Sequence, residues 1–88
     1  MRYVVIDGRA VSSMDDVHSA FAEALDFPGY YGRNLDALHD CLTEAAGPVT
    51  VVVLEADALR EKLGESFSRL LLVLGDCEEE KGGLSVYM

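Results

Sequence analysis

Val49-Thr50-Val51-Val52-Val53-Leu54 is four valines, a threonine and a leucine with no charge among them. β-Branched side chains fit a pleated, packed surface, and Gly47-Pro48 halts whatever precedes them. A run apolar on both faces reads as the middle strand of a parallel sheet, covered on each side or flanked by other strands. Working outward, Tyr3-Val4-Val5-Ile6 closes on Asp7-Gly8, a turn signal, and gives a first strand. Leu84-Ser85-Val86-Tyr87-Met88, released by Gly82-Gly83, gives a last one. The segments between carry helical periods. Ser12 and Ser13 offer N-caps, with Asp15 and Asp16 in the first turn where the helix dipole favours acids. Val17, Ala20, Phe21, Ala24 and Leu25 form the inward stripe of that helix, which ends before Pro28. Beyond the middle strand, Asp57 caps a short helix through Leu63, closed by Gly64. Ser66 begins another, with Phe67, Leu70, Leu71 and Leu74 facing in. Its tail, Asp76 to Lys81, is mostly acidic and should fray against the dipole unless a partner compensates.

The order is strand, two helices, strand, two helices, strand. Strands joined by helical crossovers pair in parallel with right-handed connections. A compact α/β layer of three strands is expected, with residues 1–88 as one domain and no internal repeat.

Half of the residues are hydrophobic, which supports a packed core rather than disorder. The apolar runs are far too short to span a bilayer. No basic, apolar leader precedes the first strand, so a cytoplasmic protein is expected. Cys41 and Cys77 lack the spacing of a metal site or a disulfide framework and read as reduced thiols. Sixteen acids against seven bases give a formal charge of −9 and a pI near 4.4. That balance repels nucleic acid phosphates. Taken alone it serves to keep a small protein soluble; gathered on one face, the same charge would draw in a basic partner.

One segment presents a surface concentrated enough to carry a function. Pro28-Gly29-Tyr30-Tyr31-Gly32 is a loop, and Asn34 is an N-cap whose side-chain oxygen accepts from a backbone N–H one turn on. Leu35, Leu38, Leu42 and Ala45 then build an apolar stripe. Asp36, Asp40 and Thr43 fall on the opposite arc, with His39 at its edge. Only Arg33 is near enough to soften the acid pair. Tyr30 and Tyr31 add two large amphipathic rings, a residue type that serves interfaces well. His18, with no second ligand at helical spacing, reads as a surface or partly packed imidazole.

Catalysis fits this face poorly. Asp36 and Asp40 lie one turn apart on an open surface, and exposed, ionised carboxylates are weak general acids. His39 and Cys41, two apart on a helix, point away from each other. There is no G-x-S-x-G, HExxH or phosphate loop. No cofactor or metal is expected. Acids, hydroxyls and tyrosines on a stiff helix suit a cleft lined with arginine, lysine and histidine. There a carboxylate accepts the bidentate hydrogen bonds that a phosphodiester would accept.

Pro28, Tyr30-Tyr31-Gly32, Asn34-Leu35-Asp36-Ala37-Leu38 and Asp40-Cys41-Leu42-Thr43 closely resemble the corresponding segment of the barstar family, intracellular inhibitors of bacterial ribonucleases. The resemblance implies an α/β two-layer fold, a three-stranded parallel sheet in order 1-2-3 with about four helices. It implies a non-enzymatic protein that plugs the active site of a basic, guanyl-preferring, barnase-like ribonuclease and protects the producing cell before export. Asp40 would take the substrate phosphate position and Asp36 would pair with a second basic group. The residues expected to meet the partner are Tyr30, Tyr31, Gly32, Arg33, Asn34, Asp36, His39, Asp40, Thr43, Glu44 and, on the last helix, Asp76. Three positions depart from the family pattern: His39 stands for a large aromatic, Arg33 for an acid, and Asp76 is the nearest match to a fourth-helix acid. A monomer is expected when the protein is free. The alternative is an acidic immunity or interaction module of the same fold that neutralises a different basic toxin or nuclease. A small hydrolase using Asp36 and Asp40 would show activity alone.

Overall fold

The computed structural model describes residues 2–88. Its elements run β1 (Arg2–Asp7), α1 (Met14–Leu25), α2 (Leu35–Glu44), β2 (Val49–Leu54), α3 (Ala56–Leu63), α4 (Glu65–Lys81) and β3 (Leu84–Tyr87). The three strands form one parallel sheet in the order β1-β2-β3. Val51 of β2 pairs with Val4 on one side and Val86 on the other, so the valine-rich strand is central, as its composition implies.

Period-two burial shows how the layers lie. Val4, Ile6, Val49, Val51, Val53 and Leu84 are buried, and they meet Val17, Phe21, Leu25, Leu38, Leu42, Phe67, Leu70 and Leu74 from the helices. Tyr3, Val5, Leu54 and Tyr87, on the opposite face, are exposed. The helices therefore cover one face, and β2 is flanked by strands rather than covered twice. Each fully buried side chain such as Phe21 or Leu38 contributes about 1.5–3 kcal/mol, largely offset by the entropy of ordering the chain.

Helix ends follow local chemistry, with three differences from the sequence reading. Ser13 caps α1 by accepting from the Asp16 N–H, while Asp16 Oδ2 accepts from Ser12 N at 2.8 Å. Ala24 is exposed, because the stripe needed to cover β1 is already filled by Val17, Phe21 and Leu25. Asp57 lies in the first turn of α3 rather than capping it; Glu55, in the left-handed region at φ 55°, holds the cap position without a side-chain bond. The acidic end of α4 is helical, where the helix dipole predicts fraying. It runs to Lys81, and Gly82 closes it in left-handed geometry, its N–H bonded to Glu78 O. Lys81 supplies a cation in the last turn, where the dipole favours one, and its ammonium bonds to Ala45 O at the end of α2.

Gly8, directly after β1, lies close against the start of α3. A Cβ there would press on the backbone oxygen of Glu55. Lys62 of α3 secures the same corner, donating to Gly8 O at 2.6 Å and Val11 O at 3.0 Å. Among the described residues no helix is long and apolar enough to cross a membrane.

Candidate protein-binding face

The face is built on α2, which packs against α4 through the buried Leu38 and Leu42. Asn34 starts it as its sequence implies, its Oδ1 accepting from Ala37 N at 2.8 Å. Asp36, Asp40 and Glu44 follow at four-residue intervals and are all exposed. Asp36 lies in the first turn, where the dipole favours a carboxylate. The Asp40 side chain is 77% exposed. Thr43 is half-buried, and its hydroxyl donates to the carbonyls of His39 and Asp40 at 3.0 and 3.1 Å.

The loop before α2 is fastened to α1 at two points that the sequence did not reveal. Tyr31 turns inward against Phe27, and its hydroxyl lies 2.6 Å from Nδ1 of His18, which is only 4% exposed. Burial pushes the Tyr31 phenol up to about 12 and, with the nearby Arg33 charge, holds the His18 imidazole below its ordinary value. The phenol therefore keeps its proton beside a neutral ring, and the tautomer of that ring sets which of the two donates. His18 is thus a core residue, more buried than its place beside the apolar stripe suggests. Arg33, at φ 52°, points away from the acid pair. Its guanidinium bonds to Asp15 Oδ1 at 2.9 Å, Asp15 O at 2.7 Å and Ser19 Oγ at 2.7 Å. Tyr30 stands out at 88% exposure, beside the exposed Gly32.

α4 adds a second row of acids. Asp76 is exposed, and one turn on lies Glu80, which the sequence reading passed over. Glu80 Oε2 is 2.5 Å from His39 Nε2, across the seam between α4 and α2, while His39 Nδ1 is 3.7 Å from Asp40 Oδ1. Desolvation lowers the pKa of His39, but the bond and charge of Glu80, with Asp40 behind it, outweigh that and hold it above the ordinary value. The four-residue step from Asp76 was the one available pointer to Glu80.

Beside this face lies an open cavity of about 390 Å³, lined by Leu25, Asp26, Phe27, Pro28, Tyr30, Cys41, Glu44 and Ala45. Burial raises the Cys41 thiol and pushes Cys77 up to about 11, so neither is a ready nucleophile at neutral pH.

All seven basic side chains are engaged away from Asp36 and Asp40. Arg2 donates to Leu25 O, Arg9 pairs with Asp7, and Arg33 with Asp15. Arg60 lies near Asp57 and over the Phe67 ring, and Lys62 holds Gly8 and Val11. Arg69 faces Glu65, and Lys81 bonds to Ala45. Among the described residues, no lysine or arginine pairs with either acid.

An α/β domain of this topology here carries an acid-rich helix that faces solvent behind an anchored loop. The chain matches the family model described as Barstar (barnase inhibitor) over residues 1–87, and it belongs to that family, whose members are inhibitors rather than enzymes. It is 41% identical over 81 residues to a protein of Bacillus subtilis (strain 168) named "Putative ribonuclease inhibitor YrdF", covering 91% of this chain and 89% of that one.

Proposed function

We propose that this protein inhibits a basic, barnase-like, guanyl-preferring ribonuclease by seating α2 and the loop before it in the enzyme's active site. The supporting observation is the open acid pair. Asp36 and Asp40 stand on a capped helix whose inner face is locked into the core, and no arginine or lysine of the chain neutralises either of them. In a cleft made for phosphodiesters, Asp40 accepts the guanidinium hydrogen bonds that a phosphate oxygen would accept. Asp36 meets a second cation at the rim. Tyr30 lays its ring over the edge of the contact and excludes water, while Gly32, Asn34 and Thr43 complete the fit. Tyr31 and Arg33 act from behind, holding the loop in shape. Rigidity matters because a preorganised loop and helix lose little freedom on docking.

The net charge of −9 steers encounter with a basic enzyme, so added salt slows association more than it speeds dissociation. The protein works inside the producing cell, where a ribonuclease destined for export must be held silent.

Titration of barnase activity against the native and Asp40→Ala proteins tests this reading. Removing one partner of a desolvated ion pair costs about 3–5 kcal/mol, because the enzyme's cations stay buried and unpaired. Asp40→Ala should therefore weaken inhibition by at least two orders of magnitude and leave the fold intact. Equal inhibition by the two proteins would refute the site. No inhibition by the native protein would refute the target, and favour another basic toxin or nuclease.

A further inference from the structure

His39 is the residue of the face that faces acids on both sides. Its Nε2 meets Glu80 of α4 at 2.5 Å and its Nδ1 faces Asp40 of α2 at 3.7 Å. A neutral imidazole has one N–H and can serve one of these carboxylates; the imidazolium, with a donor on each nitrogen, serves both. The other charged groups nearby, Asp36 on α2 and Asp76 on α4, are acids as well, each about one turn along its helix. Two further groups touch the His39 carbonyl rather than its ring. These are the Thr43 hydroxyl and the Cys77 thiol, both protonated at neutral pH.

Resting on the proposed ribonuclease-binding role, we infer that the seam between α2 and α4 is a proton-linked contact: a cationic side chain of the enzyme takes Glu80 from His39, and the imidazolium releases its proton to solvent as the complex forms. The balance is simple. One N–H bond of the ring breaks, the proton passes to water or buffer, and the incoming guanidinium or ammonium replaces the lost positive charge beside Glu80. An arriving cation disfavours the imidazolium and takes away the carboxylate that favoured it. Proton release then makes affinity rise with pH, by up to about tenfold per pH unit for one proton, across the titration of His39. The Glu80 bond, which raises the His39 pKa in the free protein, puts the upper end of that range above the ordinary imidazole value.

Two measurements test the inference. In the free protein, NMR titration of the His39 ring should give a pKa above that of a model imidazole, and Glu80→Gln should lower it. Calorimetry of barnase binding at pH 7, in phosphate and in Tris, reads the protons released. The native protein should release up to one more than His39→Gln, and its affinity should climb more steeply between pH 6 and 8. The difference between the two proteins cancels His18 and the enzyme's own histidines. Equal proton release, or parallel pH profiles, would overturn the inference while leaving the ribonuclease-binding role intact. A His39 pKa unmoved by Glu80→Gln would overturn it too. Failure of the native protein to bind barnase at any pH would remove the binding role and this inference together.

Discussion

Tyr31→Phe removes one oxygen from the fold and leaves its apolar packing in place. The ring sits 4.9 Å, centroid to centroid, from Phe27, and that contact survives the change. The loss is the 2.6 Å bond to His18 Nδ1. His18 is 4% exposed, so solvent does not readily replace the hydroxyl. A buried polar atom left without a partner costs about 1–3 kcal/mol. At a middle value of about 2 kcal/mol, and with a urea dependence of about 1–2 kcal/mol per M, the unfolding midpoint falls by roughly 1–2 M. Thermally the same loss lowers Tm by roughly 8–16 °C for a domain of this size. The measurement belongs at pH 7.5, where the ring is neutral before and after unfolding. A His18→Leu, Tyr31→Phe double variant completes the cycle. Replacing both partners of a bond by apolar groups costs far less than stranding one, so the double variant should be less unstable than the sum of the singles by about 1 kcal/mol or more. A midpoint for Tyr31→Phe indistinguishable from native, or strict additivity in the cycle, would refute the claim that this bond anchors the loop.

Leu38→Ala empties a fully buried site directly beneath the acid pair and should cost about 2–5 kcal/mol in urea unfolding, whereas a loss near zero would mean that α2 is not seated on the core as described. Gly8→Ala forces a methyl group toward the Glu55 carbonyl, and about 1–3 kcal/mol should disappear from thermal stability; an unchanged melt would refute the close approach of β1 and α3. His18, held below its ordinary 6.5 first by burial and then by Arg33, contributes stability that is complete above 6.5 and lost as pH falls toward its folded value, because the unfolded chain takes the proton first. Urea midpoints of the native protein should therefore drop more steeply from pH 6.5 to 5 than those of His18→Gln, and parallel slopes would refute the assignment. His39, whose folded value is raised, works in the opposite direction over the neutral range, which is why the comparison must be made by variant.

The parts of this molecule that repeat were legible in its sequence. The three- and four-residue stripes of α1, α2 and α4 reflect a geometric period that can be counted along a chain, and β1 and the valine-rich β2 stand out as short β-branched runs bounded by turn residues. Caps were legible for a similar reason: Asn34 and Ser13 act on residues within one turn. What stayed hidden are contacts between side chains far apart in the chain. Nothing in the twelve residues between them pairs His18 with Tyr31, and nothing in the apolar stripe of α4 brings Glu80 to His39. Arg33 shows the cost of proximity reasoning. Nearness in sequence suggested that it would soften the Asp36–Asp40 pair, yet a left-handed backbone at φ 52° sends its guanidinium back to Asp15 and Ser19.

That redirection gives the composition its meaning. An excess of sixteen acids over seven bases does not by itself make a binding face, since seven cations suitably placed would quench any one patch. Here the cations serve the scaffold. Arg2, Lys62 and Lys81 satisfy backbone carbonyls at three separate junctions, and Arg33 ties the loop to α1. Each bond made there withholds a positive charge from Asp36 and Asp40. The same arrangement that closes the fold therefore leaves the His39 ring, 3.7 Å from Asp40, as the basic group beside the pair, and both carboxylates stay open to the stronger cations of a basic enzyme cleft.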